Sequence, residues 1–221
     1  VWAEVNLQTL AANYRAIRKH LSPDIQIMGL VKANAYGHGA AQIARKLEEE
    51  GVDALGVGDA LEALELRYAG VGLPVYILGA LVGAEVERVV EADIIPTAHS
   101  KEIVEKLQSE SERQNKTLKI NLLVDTGMGR LGVKPTEIID ILKLVSESTH
   151  LELEGLSTHF PSASLGDFDF TNLQIQQFDA ILRQAQTLGI AIPNRHAANS
   201  AAVFSSPKSY FNMVRPGIAL Y

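Results

Sequence analysis

Residues 25–39 read "IQIMGLVKANAYGHG". An apolar, β-branched run over 25–31 stops at Lys32, and a loop follows that carries Asn34, Tyr36, Gly37, His38 and Gly39. A short apolar run bounded by glycine predicts a strand buried on both faces. A lysine at the end of such a strand is costly to bury, so its presence there asks for a reason.

The same grammar recurs along the chain. Apolar runs of strand length lie at 54–57, 75–78, 94–97, 118–124, 151–157, 195–199 and 212–215. Helical spacing fills the intervals. Leu7, Leu10, Tyr14, Ile17 and Leu21 step by three and four, on a helix that Asn6 could cap. Similar faces come from Ile43, Ala44 and Leu47; from Leu61, Ala63 and Leu64; from Val86, Val89 and Val90; and from Ile103, Val104 and Leu107. Ile138, Ile139, Leu142 and Val145 follow, and the longest face joins Leu173, Ile175, Phe178, Ile181, Leu182 and Ala185. Short strands alternating with helices predict parallel βαβ units with right-handed crossovers. Eight such units in a chain of 221 residues predict an α/β fold of the (β/α)8 TIM-barrel type. A doubly wound open sheet is the rival, but no GxGxxG follows the first strand.

Composition narrows the function classes. The chain is 47% hydrophobic and 21% charged, with a formal net charge of −6 and no polybasic stretch. Nucleic acid and anionic membranes are therefore not expected as partners. The absence of cysteine removes disulfides, thiolate nucleophiles and cysteine-based metal centres, and no metal site is expected. No apolar run reaches membrane-spanning length, and "VWAEVNLQTL" lacks the basic and apolar regions of a signal peptide, so a cytoplasmic protein is expected. The chain does not open on Met, which suits a processed chain or a piece of a longer one.

In a barrel, chemistry gathers at the C-terminal ends of the strands. Lys32 ends the first strand, and Asp125 with the "TGMGR" run to Arg130 follows the fifth. Thr158 and His159 end the sixth strand, Asn199 and Ser200 the seventh, and Arg215, Gly217 and Ile218 the eighth. Each has a bland reading: a lone lysine snorkels to solvent, a lone histidine is a satisfied core residue, and "DTGMGRLG" is a turn. Together they place several cations on one rim, which suits an anionic ligand. A lysine partly desolvated among cations has a lowered pKa, and its neutral amine attacks carbonyls. A Schiff base with an aldehyde cofactor is the natural product. Ser200 and the backbone of Gly217 and Ile218 suit a phosphate cradle. Pyridoxal phosphate offers both the aldehyde and the phosphate, together with a pyridine nitrogen.

The motifs "VKANAYGHG", "DTGMGRLG", "THF", "ANSA" and "RPGIALY", in this order, resemble the alanine racemases, the fold-type III enzymes that use pyridoxal phosphate. The resemblance runs from "WAEVNLQTLAANY" to the last residue. It implies an isomerase that interconverts L- and D-alanine by a two-base mechanism and supplies D-alanine for peptidoglycan. It implies that Lys32 is the cofactor lysine and one catalytic base, and that Tyr36 is a phosphate ligand. By the same resemblance Arg130 faces the substrate carboxylate and His159 lies against the pyridine ring. Asn199 and Ser200 stand near the phosphate. Arg215 bonds the pyridine nitrogen, and Gly217 and Ile218 offer backbone N–H groups to phosphate. A guanidinium only donates, so the ring nitrogen stays unprotonated and the ring is a shallow electron sink. Rapid return of the proton to Cα is then favoured over transamination.

Two departures stand out. Many family members carry a modified lysine two residues before the Asp of "DTGM", and Leu123 stands there in this chain. The family also continues into a C-terminal β domain, whose tyrosine is the second base in the partner subunit's active site. That domain is absent from residues 1–221, and Tyr221 is not that tyrosine. A homodimer with shared sites is thus implied, with the isolated barrel nearly inactive. Three other readings remain: a related serine racemase, a single-domain pyridoxal-phosphate homeostasis protein, and a non-enzymatic binding barrel.

Overall fold

The computed structural model describes residues 2, 4–163 and 168–221. Its strands are β1 (Gln26–Leu30), β2 (Ala54–Val57), β3 (Val75–Ile77), β4 (Ile95–Ala98), β5 (Leu118–Leu123), β6 (Leu151–Ser157), β7 (Asn194–Asn199) and β8 (Met213–Arg215). Each pairs in parallel with the next, and β1 also pairs with β8, at Gln26 with Met213 and Ile27 with Val214. The sheet therefore closes into the expected eight-stranded barrel.

The outer layer is built from α1 (Leu7–His20), α2 (Lys32–Gly37), α3 (Ala40–Glu49), α4 (Ala60–Tyr68), α5 (Val86–Glu91), α6 (Lys101–Arg113), α7 (Ile138–Ser146), α8 (Phe168–Thr187) and α9 (Ser200–Ser205). Asn6 caps α1 through its side-chain oxygen, which accepts from the N–H groups of Gln8 and Thr9. Among the described residues no helix is long and apolar enough to cross a membrane.

Strand alternation divides the core in two. Ile27, Leu55, Val75, Ile77, Ile120, Leu122 and Val214 pack outward into the layer between strands and helices. The intervening residues face the lumen, where Met28, Ala54, Tyr76, Ile95 and Met213 form a separate apolar cluster. Towards the C-terminal ends the lumen turns polar, with buried Thr97, Asn121, Ser157, His196 and Arg215. The helix faces depart from the expected pattern in two places. Leu173 is 61% exposed, because the buried stripe of α8 runs through Thr171, Gln174, Ile175, Phe178, Ile181 and Ala185. Leu61 is 60% exposed at the start of α4, while Ala63 and Leu64 are buried.

The loop expected after Lys32 is the larger difference. Ala33, Asn34, Ala35 and Tyr36 all have φ between 51° and 54°, so α2 is a single left-handed turn rather than an α-helix. Left-handed helical geometry costs L-residues roughly 1–2 kcal/mol each, and sequence periodicity carries no signal for it.

Close backbone contact at the C-terminal end of β3 gives a test. A Cβ added to Gly79 would stand 2.2 Å from the carbonyl oxygen of Gly58. Gly79→Ala should therefore destabilise the fold by about 1–3 kcal/mol. At Gly83 an added Cβ meets only the flexible end of Lys106, at 3.4 Å. Gly83→Ala should stay within about 0.5 kcal/mol. Equal denaturation midpoints for the two variants would contradict the packing of β2 against β3.

Candidate active site

The C-terminal ends of the strands open into a cavity of about 500 Å³. Lys32, Arg130, His159, Asn199 and Arg215 all line it, so residues at or just past the ends of β1, β5, β6, β7 and β8 meet around one space. Leu123 also lines it, together with Leu30 and Leu78. Among the described residues no group of three or more His, Asp or Glu is placed to hold a metal ion.

Lys32 is exposed at the mouth of this cavity, not desolvated within it as its sequence context suggested. What constrains it is its backbone. The left-handed turn is tied at every step. The Ala33 N–H donates to the Glu62 carboxylate at 2.5 Å, and the Ala35 N–H donates to the Val31 carbonyl at 2.8 Å. The Asn34 side-chain oxygen accepts from the Ala40 N–H at 2.8 Å, and its carbonyl accepts from the Gly39 N–H at 3.0 Å. His38 Nδ1 lies 3.1 Å from the carbonyl oxygens of both Ala35 and Tyr36 and can donate to either. Backbone held in a sparsely populated region persists only where its surroundings over-determine it, and such segments cluster at functional sites.

The turn delivers Tyr36 to the end of β8. Its hydroxyl lies so near Gly217 that a Cβ there would be 2.3 Å away. Burial raises the Tyr36 pKa, so the phenol keeps its proton. Ser200 reaches the same spot from α9, where its Oγ accepts from the N–H groups of Gly217 at 2.9 Å and Ala219 at 3.3 Å. Its own hydroxyl proton remains available to donate. Two hydroxyls thus converge on a glycine that no other residue could replace without displacing one of them. Asn199, expected beside them, spends its side chain on structure: Oδ1 caps α9 at the Ala202 N–H, and Nδ2 donates to the Phe160 carbonyl. Ile218 is exposed just beyond. Tyr221 packs its ring on Tyr36 and His38 and donates its hydroxyl to the Leu30 carbonyl at 2.9 Å.

Arg215 is 5% exposed and in no ion pair among the described residues. Neutral acceptors hold it: His196 Nδ1 at 2.7 Å, the Thr158 carbonyl at 2.8 Å and the Ala197 carbonyl at 3.0 Å. Burial lowers its pKa to about 10, which still leaves it charged near neutrality. A guanidinium only donates, so His196 Nδ1 must accept and Nε2 must carry the proton. That proton goes to Asn121 Oδ1 at 3.0 Å. Asn121 Nδ2 in turn donates to Thr97 Oγ1 at 3.1 Å and Ser157 Oγ at 2.9 Å. Burial, and then the charge of Arg215, hold His196 well below the ordinary histidine range.

His159 is neutral for a related reason. Burial first, then the charges of Arg215, Arg130 and Lys32, push its pKa down to about 3. Its backbone is anchored by buried Gln174, which donates to the His159 carbonyl at 3.1 Å and to Thr126 Oγ1 at 3.2 Å. Thr126 and Thr158 share a 2.6 Å hydrogen bond beneath it.

Arg130 rides on a loop shaped by Asp125. The carboxylate accepts from the N–H groups of Gly127 and Gly129 at 2.9–3.1 Å. The loop returns through Val133, whose N–H donates to the Leu123 carbonyl at 2.8 Å. A Cβ at Gly132, where φ is +131°, would stand 2.8 Å from the Asp125 nitrogen. Among the described residues Arg130 itself makes no hydrogen bond or ion pair. With Leu123 in the wall, no anion from β5 restrains it.

His196, Asn121 and Glu62 went unnoticed in the sequence. The first two could have been found, because a polar residue inside an apolar strand of a parallel barrel must face the lumen and be hydrogen-bonded. Glu62 shows no signal, since a glutamate in the first turn of a helix is unremarkable.

The family described as "Alanine racemase, N-terminal domain" matches residues 5–221. An alanine racemase of Methanococcus maripaludis is 41% identical over 222 residues, which is all of this chain and 60% of that protein. The solved alanine racemase of Clostridium difficile 630 superposes with a TM-score of 0.97 at 34% identity, over all of this chain and 58% of its own. An alanine racemase from Bartonella henselae, solved with covalently bound pyridoxal phosphate, superposes with a TM-score of 0.87 at 30% identity, over 98% of this chain and 62% of its own. The chain thus spans about 60% of the length of these relatives.

The depressed histidines predict a pH dependence. An unfolded histidine titrates near 6.5, whereas His159 titrates near 3 in the fold. Between these values the unfolded chain binds a proton that the folded chain does not. Stability therefore rises with pH across this window and is lost as pH falls through it. His196 acts in the same direction. Urea midpoints at pH 7 and pH 4.5 should show this loss, and His159→Gln should make the slope shallower. An unchanged slope in that variant would place His159 in solvent rather than against the cations.

Proposed function

The chain belongs to the alanine racemase family, and from that premise we propose that its protein interconverts L- and D-alanine with pyridoxal phosphate as cofactor. The observation that carries this reading is the donor set on the rim. It combines a lysine on a rigid mount, two hydroxyls converging on Gly217, and a buried guanidinium that pairs with no carboxylate among the described residues. These residues fit the cofactor. The Lys32 amine would take its aldehyde. Tyr36, Ser200 and the backbone N–H of Ile218 would hold its phosphate, with the Gly217 N–H supporting Ser200 Oγ. His159 would lie on its ring, and Arg215 would donate to its ring nitrogen. When bound, the cofactor supplies an electron sink for the substrate's α-carbon.

The chain's own residues set the outcome. Arg215 remains protonated near neutrality and only donates, so no proton reaches the ring nitrogen from it. Charge is then drawn only weakly away from the α-carbon, and the proton returns there rather than elsewhere. Neutral His159 adds bulk without adding a second cation against the ring. Arg130, unrestrained by any anion among the described residues, is free to take the substrate carboxylate bidentately. Lys32 moves the proton on one face of the α-carbon. Racemisation also needs a group on the opposite face, and we assign it to a tyrosine of a C-terminal β domain in the partner subunit of a homodimer. The reading places the enzyme in the cytoplasm, supplying D-alanine for peptidoglycan.

The test uses the full-length protein with pyridoxal phosphate, each enantiomer of alanine and chiral chromatography. Lys32→Ala should abolish borohydride trapping of the cofactor on the chain and cost at least about 10²–10⁴-fold in racemisation. Trapping that persists at another lysine, or turnover of serine alone, would overturn the assignment. Arg215→Glu should slow racemisation and produce pyruvate from alanine, because a carboxylate can keep the ring nitrogen protonated. Unchanged products would remove Arg215 from that nitrogen.

A further inference from the structure

The left-handed turn behind Lys32 has one anchor that comes from outside the continuous segment running from β1 to α3, the Glu62 carboxylate. Glu62 lies in the first turn of α4, and Asp59 Oδ1 holds its N–H at 2.9 Å. Its side chain reaches back across the β2–α4 connection. Oε1 accepts from the Ala33 N–H at 2.5 Å, and Oε2 accepts from the Gly58 N–H at 2.7 Å. Both oxygens are therefore committed to backbone donors on two different segments. The carboxylate also runs beside the lysine stem: a Cβ at Gly58 would stand 3.1 Å from Glu62 Oε2 and 3.7 Å from Lys32 Cβ. Yet no ion pair joins Glu62 to the Lys32 ammonium among the described residues. Glu62 grips the main chain next to the lysine and leaves its amine free.

We propose that Glu62 is a positioning residue for Lys32: it locks the start of the left-handed turn to the β2–α4 connection and thereby sets where the lysine amine meets an aldehyde. The inference rests on Lys32 being the cofactor lysine. The chemistry calls for a carboxylate. Charge-assisted hydrogen bonds to two N–H groups need two acceptor oxygens held a fixed distance apart. Glutamine offers one acceptor and one NH₂, so one of the two N–H groups would face another donor. Aspartate falls one methylene short. Neither change opens a hole in the core, because Glu62 is only half-buried.

Glu62→Gln in the full-length protein provides the test. Hydrogen exchange of the amides over residues 33–36 reports the clamp. The rate at which Lys32 captures added pyridoxal phosphate, trapped by borohydride and read by mass, reports its consequence. Val145→Ala, in the buried face of α7, serves as a destabilised comparison remote from the rim. Glu62→Gln should speed exchange at these amides and slow capture about tenfold or more, as small misplacements of a reacting group do. kcat should fall with KM for alanine nearly unchanged, while Val145→Ala captures at the wild-type rate. The proposal is overturned if Glu62→Gln captures as the wild type does, if exchange over 33–36 is unchanged, or if Val145→Ala slows capture equally. A wild-type protein that captures no cofactor at Lys32 would instead sink the reading of the site on which the proposal rests.

Discussion

A guanidinium buried in the barrel with no carboxylate paired to it among the described residues is the constraint around which the lumen is organised. A buried charge left unsatisfied is expensive, and the common remedy is an opposite charge. Here the remedy is a set of neutral acceptors. Arg215 donates to carbonyls of β7 and the β6 end and to His196, and this ties β6, β7 and β8 together at their C-terminal ends. Because arginine cannot accept, its partner's tautomer is dictated. The dictated proton on His196 needs Asn121, and the amide of Asn121 needs Thr97 and Ser157. One buried cation thus orders polar side chains on five strands, from β4 to β8.

The same cation governs the electrostatics of the rim. Burial first, and then this cation, by contact at His196 and through space at His159, depress both imidazoles and keep them neutral. A carboxylate beside Arg215 would have neutralised that field and offered a proton acceptor at the wrong place. Among the described residues, leaving it out keeps Arg215 a positive donor in the cavity wall with no carboxylate paired to it. On the proposed function, selectivity between proton return and side reactions would follow from this choice of partner.

Rigidity at the other side of the cavity is of a different kind. Lys32 is exposed and its side chain makes no ion pair among the described residues, yet it stands on a backbone that few sequences tolerate. The left-handed turn persists because Glu62, Asn34, His38 and Val31 each meet one of its polar groups. Arg130 is presented by a comparable device, a loop wound on the Asp125 carboxylate. In both cases the cavity-lining side chain makes no ion pair among the described residues while the main chain below it is held.

The eight strands and their order were legible in the chain, because strands buried on both faces must be apolar and short, and helices between them must carry an apolar stripe. The cluster of strand-end residues was legible too: closing the sheet sends every C-terminal end to one rim, so Lys32, Arg130, His159, Asn199 and Arg215 had to meet. The family was legible in five ordered motifs. The burial of individual residues was not. Lys32 lies open, Leu61 and Leu173 face outward, and Asn199 serves as a helix cap, because exposure depends on neighbours far along the chain. The left-handed turn was equally hidden, since a backbone conformation that costs energy locally is held in part by a hydrogen bond to Glu62 of α4, nearly thirty residues away. Periodicity records which face of an element is apolar. It does not record which distant donor or acceptor completes a polar group, and at this rim those distant partners decide the geometry.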